Sequence, residues 1–255
     1  MDTSKYIKTA AEIEKMRHAG YAAASVLDYL TPFVKSGIST EELNTLAHDY
    51  MTKELKVTPA PLNYRGFPKS ICTSINHVVC HGIPSEKKLK DGDIINIDIT
   101  VIKDGYHGDT SRMFEIGQCK PYASRLCTVA KEAMLEGIQI VKPGISLYDI
   151  GLAIETFTKK NHCSSVHDFC GHGIGKDFHE EGFQVLHYPD PNLKSFILQP
   201  GMTFTIEPMI NQGKKEVRIM GDGWTAITAD KTLSAQWEHT ILVTPDGYDI
   251  LTTTS

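Results

Sequence analysis

The stretch Val34-Lys35-Ser36-Gly37-Ile38-Ser39 returns as Val141-Lys142-Pro143-Gly144-Ile145-Ser146, a spacing of 107 from position 34 to position 141. A second pair answers it. Leu89-Lys90-Asp91-Gly92 leads to Ile97-Asp98 and Leu198-Gln199-Pro200-Gly201 leads to Ile206-Glu207, with a spacing of 109 from Asp98 to Glu207. A long period that occurs twice points to duplication into two similar parts around one core, not to a solenoid of many short repeats. The expected organisation is a single domain over 1–255, built from halves at approximately 10–115 and 120–250, with the functional site between them.

Working outward from the repeat, each copy reads as a helix–turn–helix. Ile13, Met16, Ala19, Ala23, Val26, Leu27 and Leu30 recur at helical spacing before the first copy, and Thr9 with Glu12 forms an N-terminal capping box. Ser39 with Glu42 repeats the box after the first turn, and Ser146 with Asp149 stands in the equivalent place after the second. The later repeats read as strands, in which side chains two apart share a face. Ile95, Ile97, Ile99 and Val101 make one apolar face, and Asn96, Asp98 and Thr100 the other. Thr203, Thr205 and Glu207 share a face opposite Phe204 and Ile206, so each part aims a carboxylate from a β-branched strand.

Composition narrows the function classes. The chain has 255 residues, 41% hydrophobic and 22% charged, enough to bury a substantial core. Its net charge of -5 offers no basic excess for neutralising phosphates, which argues against nucleic-acid specificity. The start, Met1-Asp2-Thr3-Ser4-Lys5-Tyr6-Ile7-Lys8, lacks an apolar signal region, and no run approaches the roughly 20 apolar residues that span a bilayer. The expected location is cytoplasmic, without membrane contact. Cys72, Cys80, Cys119, Cys127, Cys163 and Cys170 show no metal-ribbon or redox-pair spacing and read as reduced, mostly buried thiols.

Asp98, Asp109, His172, Glu207 and Glu238 sit in predicted strands or Gly-rich turns: Ile-Asp-Ile, His-Gly-Asp-Thr, Gly-His-Gly-Ile-Gly, Ile-Glu-Pro and Trp-Glu-His-Thr. Singly, each carboxylate reads more often as a cap or a solvated charge than as a functional group, and the histidine about evenly as structural or functional. Together they change meaning. Two carboxylates from each part converging with one imidazole form a negative cluster that calls for cations. Two divalent ions about 3.5 to 4 Å apart, sharing a water or hydroxide, answer that need. An oxygen-rich set of this kind suits hard or borderline metals.

These motifs, in this order, resemble type I methionine aminopeptidase of the pita-bread fold. The likeness extends to Tyr64-Arg65-Gly66-Phe67-Pro68-Lys69-Ser70, Ser74-Ile75-Asn76 and Val79-Cys80-His81-Gly82-Ile83-Pro84, and covers almost the whole chain. It implies an α+β architecture, with two pseudo-symmetric halves whose helices pack outside a curved, mainly antiparallel sheet. It also implies removal of the initiator methionine from nascent polypeptides, with a small second residue preferred. By the same resemblance, Asp98 chelates one metal, His172 serves the other, and Asp109 and Glu238 bridge both. Glu207 ligates a metal and acts as general base toward the bridging water, which attacks the scissile carbonyl. His179 polarises that carbonyl and stabilises the oxyanion, and His81 contacts the neighbouring peptide. Tyr64, Phe67, Cys72, Phe178 and Trp224 wall the methionine pocket.

The ions implied are two of Co, Mn, Fe, Zn or Ni, with a monovalent Na or K at Asn76, Val78 and Ser234. The implied partners are nascent N-termini and a transient ribosome contact, with the chain itself a monomer. Pro61 departs from well-known bacterial members, which carry cysteine there, so thiol-directed inhibition at that position is not expected. A proline-directed aminopeptidase on the same fold would carry a large extra N-terminal domain, and type II members an insertion between Pro208 and Trp237 that is not found here. A non-catalytic binding module on this fold would have lost metal ligands, and all five stand here.

Overall fold

In a computed structural model of the chain, which describes residues 3–254, the expected capping boxes start three of the long helices. α1 (Ala10–Leu30) begins where the Thr9 side chain accepts the Glu12 N–H and Glu12 reaches back to the Thr9 N–H. Ser39 and Glu42 do the same for α2 (Thr40–Asp49). α3 (Pro121–Gln139) starts on proline, whose missing N–H has no partner to lose in a first turn. Ser146 and Asp149 cap α4 (Leu147–Lys160).

The two sequence repeats turn out to be hydrogen-bonded to each other. The turn glycines Gly37 and Gly144 both take left-handed φ, +94° and +89°, which glycine adopts without steric cost. Gly37 N donates to Leu89 O at 2.9 Å and Leu89 N to Ile38 O at 2.8 Å. In the later copy Gly144 N donates to Leu198 O at 3.0 Å and Leu198 N to Ile145 O at 2.8 Å. Each turn is thus clamped by the segment that leads into the carboxylate-bearing strand.

Before α3 come β1 (Thr58–Pro59), β2 (Cys72–Ile75), β3 (Val78–Cys80), β4 (Ile94–Lys103) and β5 (Tyr106–Glu115). After α4 come β6 (Ser164–Ser165), β7 (Gly171–Gly173), β8 (Glu180–Val185), β9 (Thr203–Ile206) and β10 (Met209–Asn211). β11 (Val217–Ile219), β12 (Ala226–Thr228), β13 (Ser234–Gln236), β14 (His239–Val243) and β15 (Tyr248–Ile250) complete the chain. The pairings among these strands are antiparallel, in runs ordered β1-β4-β2 with β5 on β4, β13-β10-β6, β11-β12-β3, and β15-β14-β9-β7-β8. A bridge between Ser111 and Glu238 ties β5 to the entrance of β14.

Strand alternation decides what is buried where. Ile95, Ile97, Ile99 and Val101 of β4 are fully buried in one cluster with Ala23 and Leu27 of α1. Each such side chain contributes about 1.5–3 kcal/mol by leaving water. Phe204, Ile206 and Ile210 form a second cluster with Ala130 and Met134 of α3 and Ile150 of α4. With the apolar faces committed to the helices, the polar faces of β4, β5 and β9 turn toward each other. Among the described residues no helix is long and apolar enough to cross a membrane, and the six cysteines are free thiols.

Candidate metal centre

The register of the β4–β5 hairpin places its two aspartates. Asp98 lies opposite Ser111 and Thr100 opposite Asp109, so the two carboxylates are diagonal neighbours on the polar face. Thr100 Oγ1 donates to Asp109 Oδ1 at 2.8 Å, leaving Oδ2 uncommitted. Cys72 of β2 faces Asp98 across the other edge of β4.

His172 enters between two glycines that the packing demands. A Cβ on Gly171 would stand 2.3 Å from the Thr205 carbonyl oxygen, and one on Gly173 would stand 2.6 Å from the Phe183 ring. The β7–β8 register shifts between His172 and Gly173, an irregularity that re-aims a side chain. His172 Nδ1 donates to the Gly173 carbonyl at 3.1 Å, so Nε2 presents its lone pair. That nitrogen lies 3.6 Å from both Asp109 Oδ2 and Glu207 Oε1.

Glu207 is held at four points. Thr205 Oγ1 donates to its Oε1 at 2.8 Å, and Gln236 Nε2 donates to its Oε2 at 3.2 Å and to its carbonyl oxygen at 3.3 Å. Its own N–H donates to Nε2 of the fully buried His187 at 3.2 Å. Burial drives the His187 pKa down to about 3, keeping it a neutral acceptor. Glu238 arrives on the backbone bridge to Ser111, with Thr110 Oγ1 donating to its carbonyl oxygen at 2.7 Å.

The electrostatics ask for positive charge. Burial first, then repulsion from Asp109 and Glu207, raises Asp98 well above the usual carboxylate range. The same two causes, with Asp109 foremost among the charges, raise Glu238. Burial pushes Glu207 up to about 7, with His172 opposing and Asp109 reinforcing the shift. Burial would lower His172, yet its contact with Asp109 and the charge of Glu207 raise it instead. Asp109, His172 and Glu238 are buried and present ligand atoms all within 4.8 Å of one another. Two atoms each about 2.1 Å from one ion stand at most about 4.2 Å apart, so the 3.6 Å between His172 and Asp109 lies within the reach of a shared cation. The donor set therefore fits divalent metal, and Asp98 and Glu207 open onto the same cavity.

That cavity, about 290 Å³, is also lined by Tyr64, Phe67, Cys72, Phe178 and Trp224, with His81, His179 and Pro61. Phe67 meets Trp224 edge to face at 5.2 Å, and Tyr64 packs on Phe178 at 4.9 Å. His81, at a left-handed φ of +55°, stands edge-on to Phe169 at 5.3 Å. Away from the cavity, Ser234 N donates to Asn76 O at 2.9 Å, and Val78 lies on neighbouring β3. Sequence reading missed Arg65, Asp168, Phe169, Cys170 and Met209 in the lining, as well as His187 and Gln236 behind Glu207. Phe169 and Cys170 directly precede Gly171-His172, and Gln236 lies two residues before Glu238, so adjacency and strand periodicity carried a signal for those.

Comparison with known proteins identifies the family. The family model for metallopeptidase family M24 matches residues 14–245. Methionine aminopeptidase of Escherichia coli strain K12 is 56% identical over 247 residues, 96% of this chain and 93% of that protein. The crystal structure of methionine aminopeptidase from Rickettsia prowazekii superposes with a TM-score of 0.94 at 51% identity, covering 97% of this chain and 99% of that one. Prolidase from Pyrococcus furiosus, at 22% identity and a TM-score of 0.76 over 98% of this chain and 66% of its own, shares the fold.

Proposed function

This chain belongs to metallopeptidase family M24, among its bacterial-like type I methionine aminopeptidases, and we infer from that premise how its residues divide the reaction. It is a metal-dependent aminopeptidase that removes the N-terminal methionine from proteins. The observation that carries the assignment of roles is the convergence of Asp98, Asp109, His172, Glu207 and Glu238 on one apolar-walled cavity.

Asp98 would hold one divalent ion and His172 the other, with Asp109 and Glu238 serving both and Glu207 completing the set. When bound, such ions lower the pKa of a coordinated water toward about 7 and polarise a carbonyl. Glu207 takes the proton of the attacking water and delivers it to the departing amine as the C–N bond breaks. Burial raises this carboxyl in the metal-free site, and bound cations would draw it back toward the ionised form that a base requires. His179 donates to the oxygen on which negative charge develops, and His81 contacts the peptide beside the scissile bond. The methionine side chain lies among Tyr64, Phe67, Cys72, Phe178 and Trp224, apolar and soft surfaces suited to a thioether. A small residue after the methionine is preferred.

The ions are two of Co, Mn, Fe, Zn or Ni; oxygen donors with one imidazole suit all of them. A monovalent Na or K would be held at Asn76, Val78 and Ser234, a reading supported by the hydrogen bond from Ser234 N to Asn76 O that draws the β2–β3 turn against β13. The chain works as a monomer in the cytoplasm on nascent N-termini, with a transient ribosome contact. Its single domain comes from duplication of 10–115 and 120–250, supported by the matching clamps on Gly37 and Gly144. Incubating a metal-loaded preparation with a protein that begins Met-Ser and weighing the product tests the function. Loss of one methionine is expected, and an unchanged mass would contradict it.

A further inference from the structure

We propose that Tyr64 is a positioning residue that fixes the tautomer of His179, its hydroxyl donating to Nδ1 so that the ring's one N–H sits at Nε2. The proposal rests on the role given to His179 at the scissile carbonyl. Tyr64 Oη lies 2.9 Å from His179 Nδ1. Among the described residues no other hydrogen bond engages this imidazole, so that one contact decides where its proton resides.

Chemistry selects the direction of the bond. If Nδ1–H donated to the phenol oxygen, Nε2 would present a lone pair and repel a developing oxyanion. If the phenol donates, Nε2–H is available to the substrate. The Arg65 guanidinium lies over the Tyr64 ring, with Cζ 5.3 Å from the centroid. A cation at the ring face draws electron density from the phenol, which makes it a better donor and a poorer acceptor. His179 lines the same cavity as the carboxylates.

The frame around the pair is fixed. Phe178 packs on Tyr64 at 4.9 Å and stacks on His179 at 4.3 Å, and His179 contacts His172 at 4.1 Å. Tyr64 itself is held in a tight turn flanked by two non-glycine residues in the left-handed region, Asn63 at φ +67° and Arg65 at φ +48°. Asn63 N donates to Phe67 O at 2.8 Å, and Tyr64 N to Pro61 O at 3.0 Å. Conformations this sparsely populated persist where the surroundings determine them, and they gather at functional sites.

A double-mutant cycle with a spectroscopic readout tests this. Tyr64→Phe keeps the ring and removes the donor. We expect kcat on Met-Ala-Ser to fall about three- to tenfold, the range for one lost hydrogen bond, with KM nearly unchanged. In a His179→Ala background the same change should have no further effect on kcat. Nitrogen NMR of the Zn(II)-loaded wild type should show a protonated Nε2 and a hydrogen-bonded, unprotonated Nδ1 on His179, and Tyr64→Phe should shift both toward a mixture. An Nδ1–H tautomer in the wild type, an effect confined to KM, or an equal loss of kcat in the His179→Ala background would overturn the proposal. If His179→Ala itself leaves kcat intact, what fails is the role of His179, and the tautomer measurement still judges the Tyr64 contact.

Discussion

Asp109 Oδ2 and His172 Nε2 stand 3.6 Å apart, one carried by the long β4–β5 hairpin and the other by the short strand β7 of a different sheet. The distance is too long for a hydrogen bond. With the other ring nitrogen committed to the Gly173 carbonyl, the lone pair of His172 and an uncommitted carboxylate oxygen share one space. A cation satisfies both.

Metal removal should therefore abolish activity without unfolding the protein, because the apolar clusters under α1 and α3 do not depend on the ion. Chelation followed by dialysis should leave the circular dichroism spectrum native. Adding back Mn(II) or Co(II) should restore turnover and raise the melting temperature as the ion binds the folded state alone. Full activity in rigorously stripped protein would exclude a metal role.

Glu207→Ala should lower kcat at least about 100-fold, the scale of a lost general base, and Glu207→Gln should do nearly the same. Both variants should keep a near-native melting profile, since Glu207 lies at the cavity and not in an apolar cluster. Near-normal turnover by either would remove Glu207 from the base role.

Much of this was legible in the sequence, for physical reasons. Period-two alternation sorted Ile95, Ile97, Ile99 and Val101, which pack in the apolar cluster under α1, from Asn96, Asp98 and Thr100, of which Asp98 and Thr100 line the cavity on the opposite face. Ser/Thr three residues before an acidic residue marked the starts of α1, α2 and α4 because both partners of a capping box are local. What resisted were contacts made by distant chain segments. His187 lies in Leu186-His187-Tyr188, which has no local signature, yet its imidazole receives the Glu207 N–H. The left-handed backbone at Arg65 carries no glycine to announce it, and the pairing of Tyr64 with His179 joins segments far apart in the chain.

Thiol reagents should inactivate the protein slowly at neutral pH. Cys72 and Cys170 line the cavity, but burial raises the Cys72 thiol well above its usual range and pushes Cys170 up to about 12, so little thiolate forms. Pro61 offers no thiol at the cavity wall. Rapid loss of activity with iodoacetamide, prevented by methionine, would show that one of these cysteines is reactive after all.

Acid should weaken the first helix in a predictable window. The Thr9 backbone N–H, then the Tyr106 hydroxyl, hold Glu12 down at about 2 from a normal 4.5. A carboxyl depressed in the folded state stabilises it above the unfolded pKa, and that contribution fades as pH falls from about 4.5 toward 2. The difference in urea midpoint between wild type and Glu12→Ala should be constant above pH 5 and narrow below about pH 4.5. Thr9→Ala should cost about 1 kcal/mol at neutral pH. A gap that widens in acid would contradict the capping assignment.

The most direct test measures release of free methionine from Met-Ala-Ser, with Ala-Pro-Ala as the control, after metal stripping and re-addition of Mn(II) or Co(II). Metal-dependent cleavage of the methionyl peptide alone is the predicted result. Cleavage of the proline peptide alone, or of neither by folded and metal-loaded protein, would contradict the account.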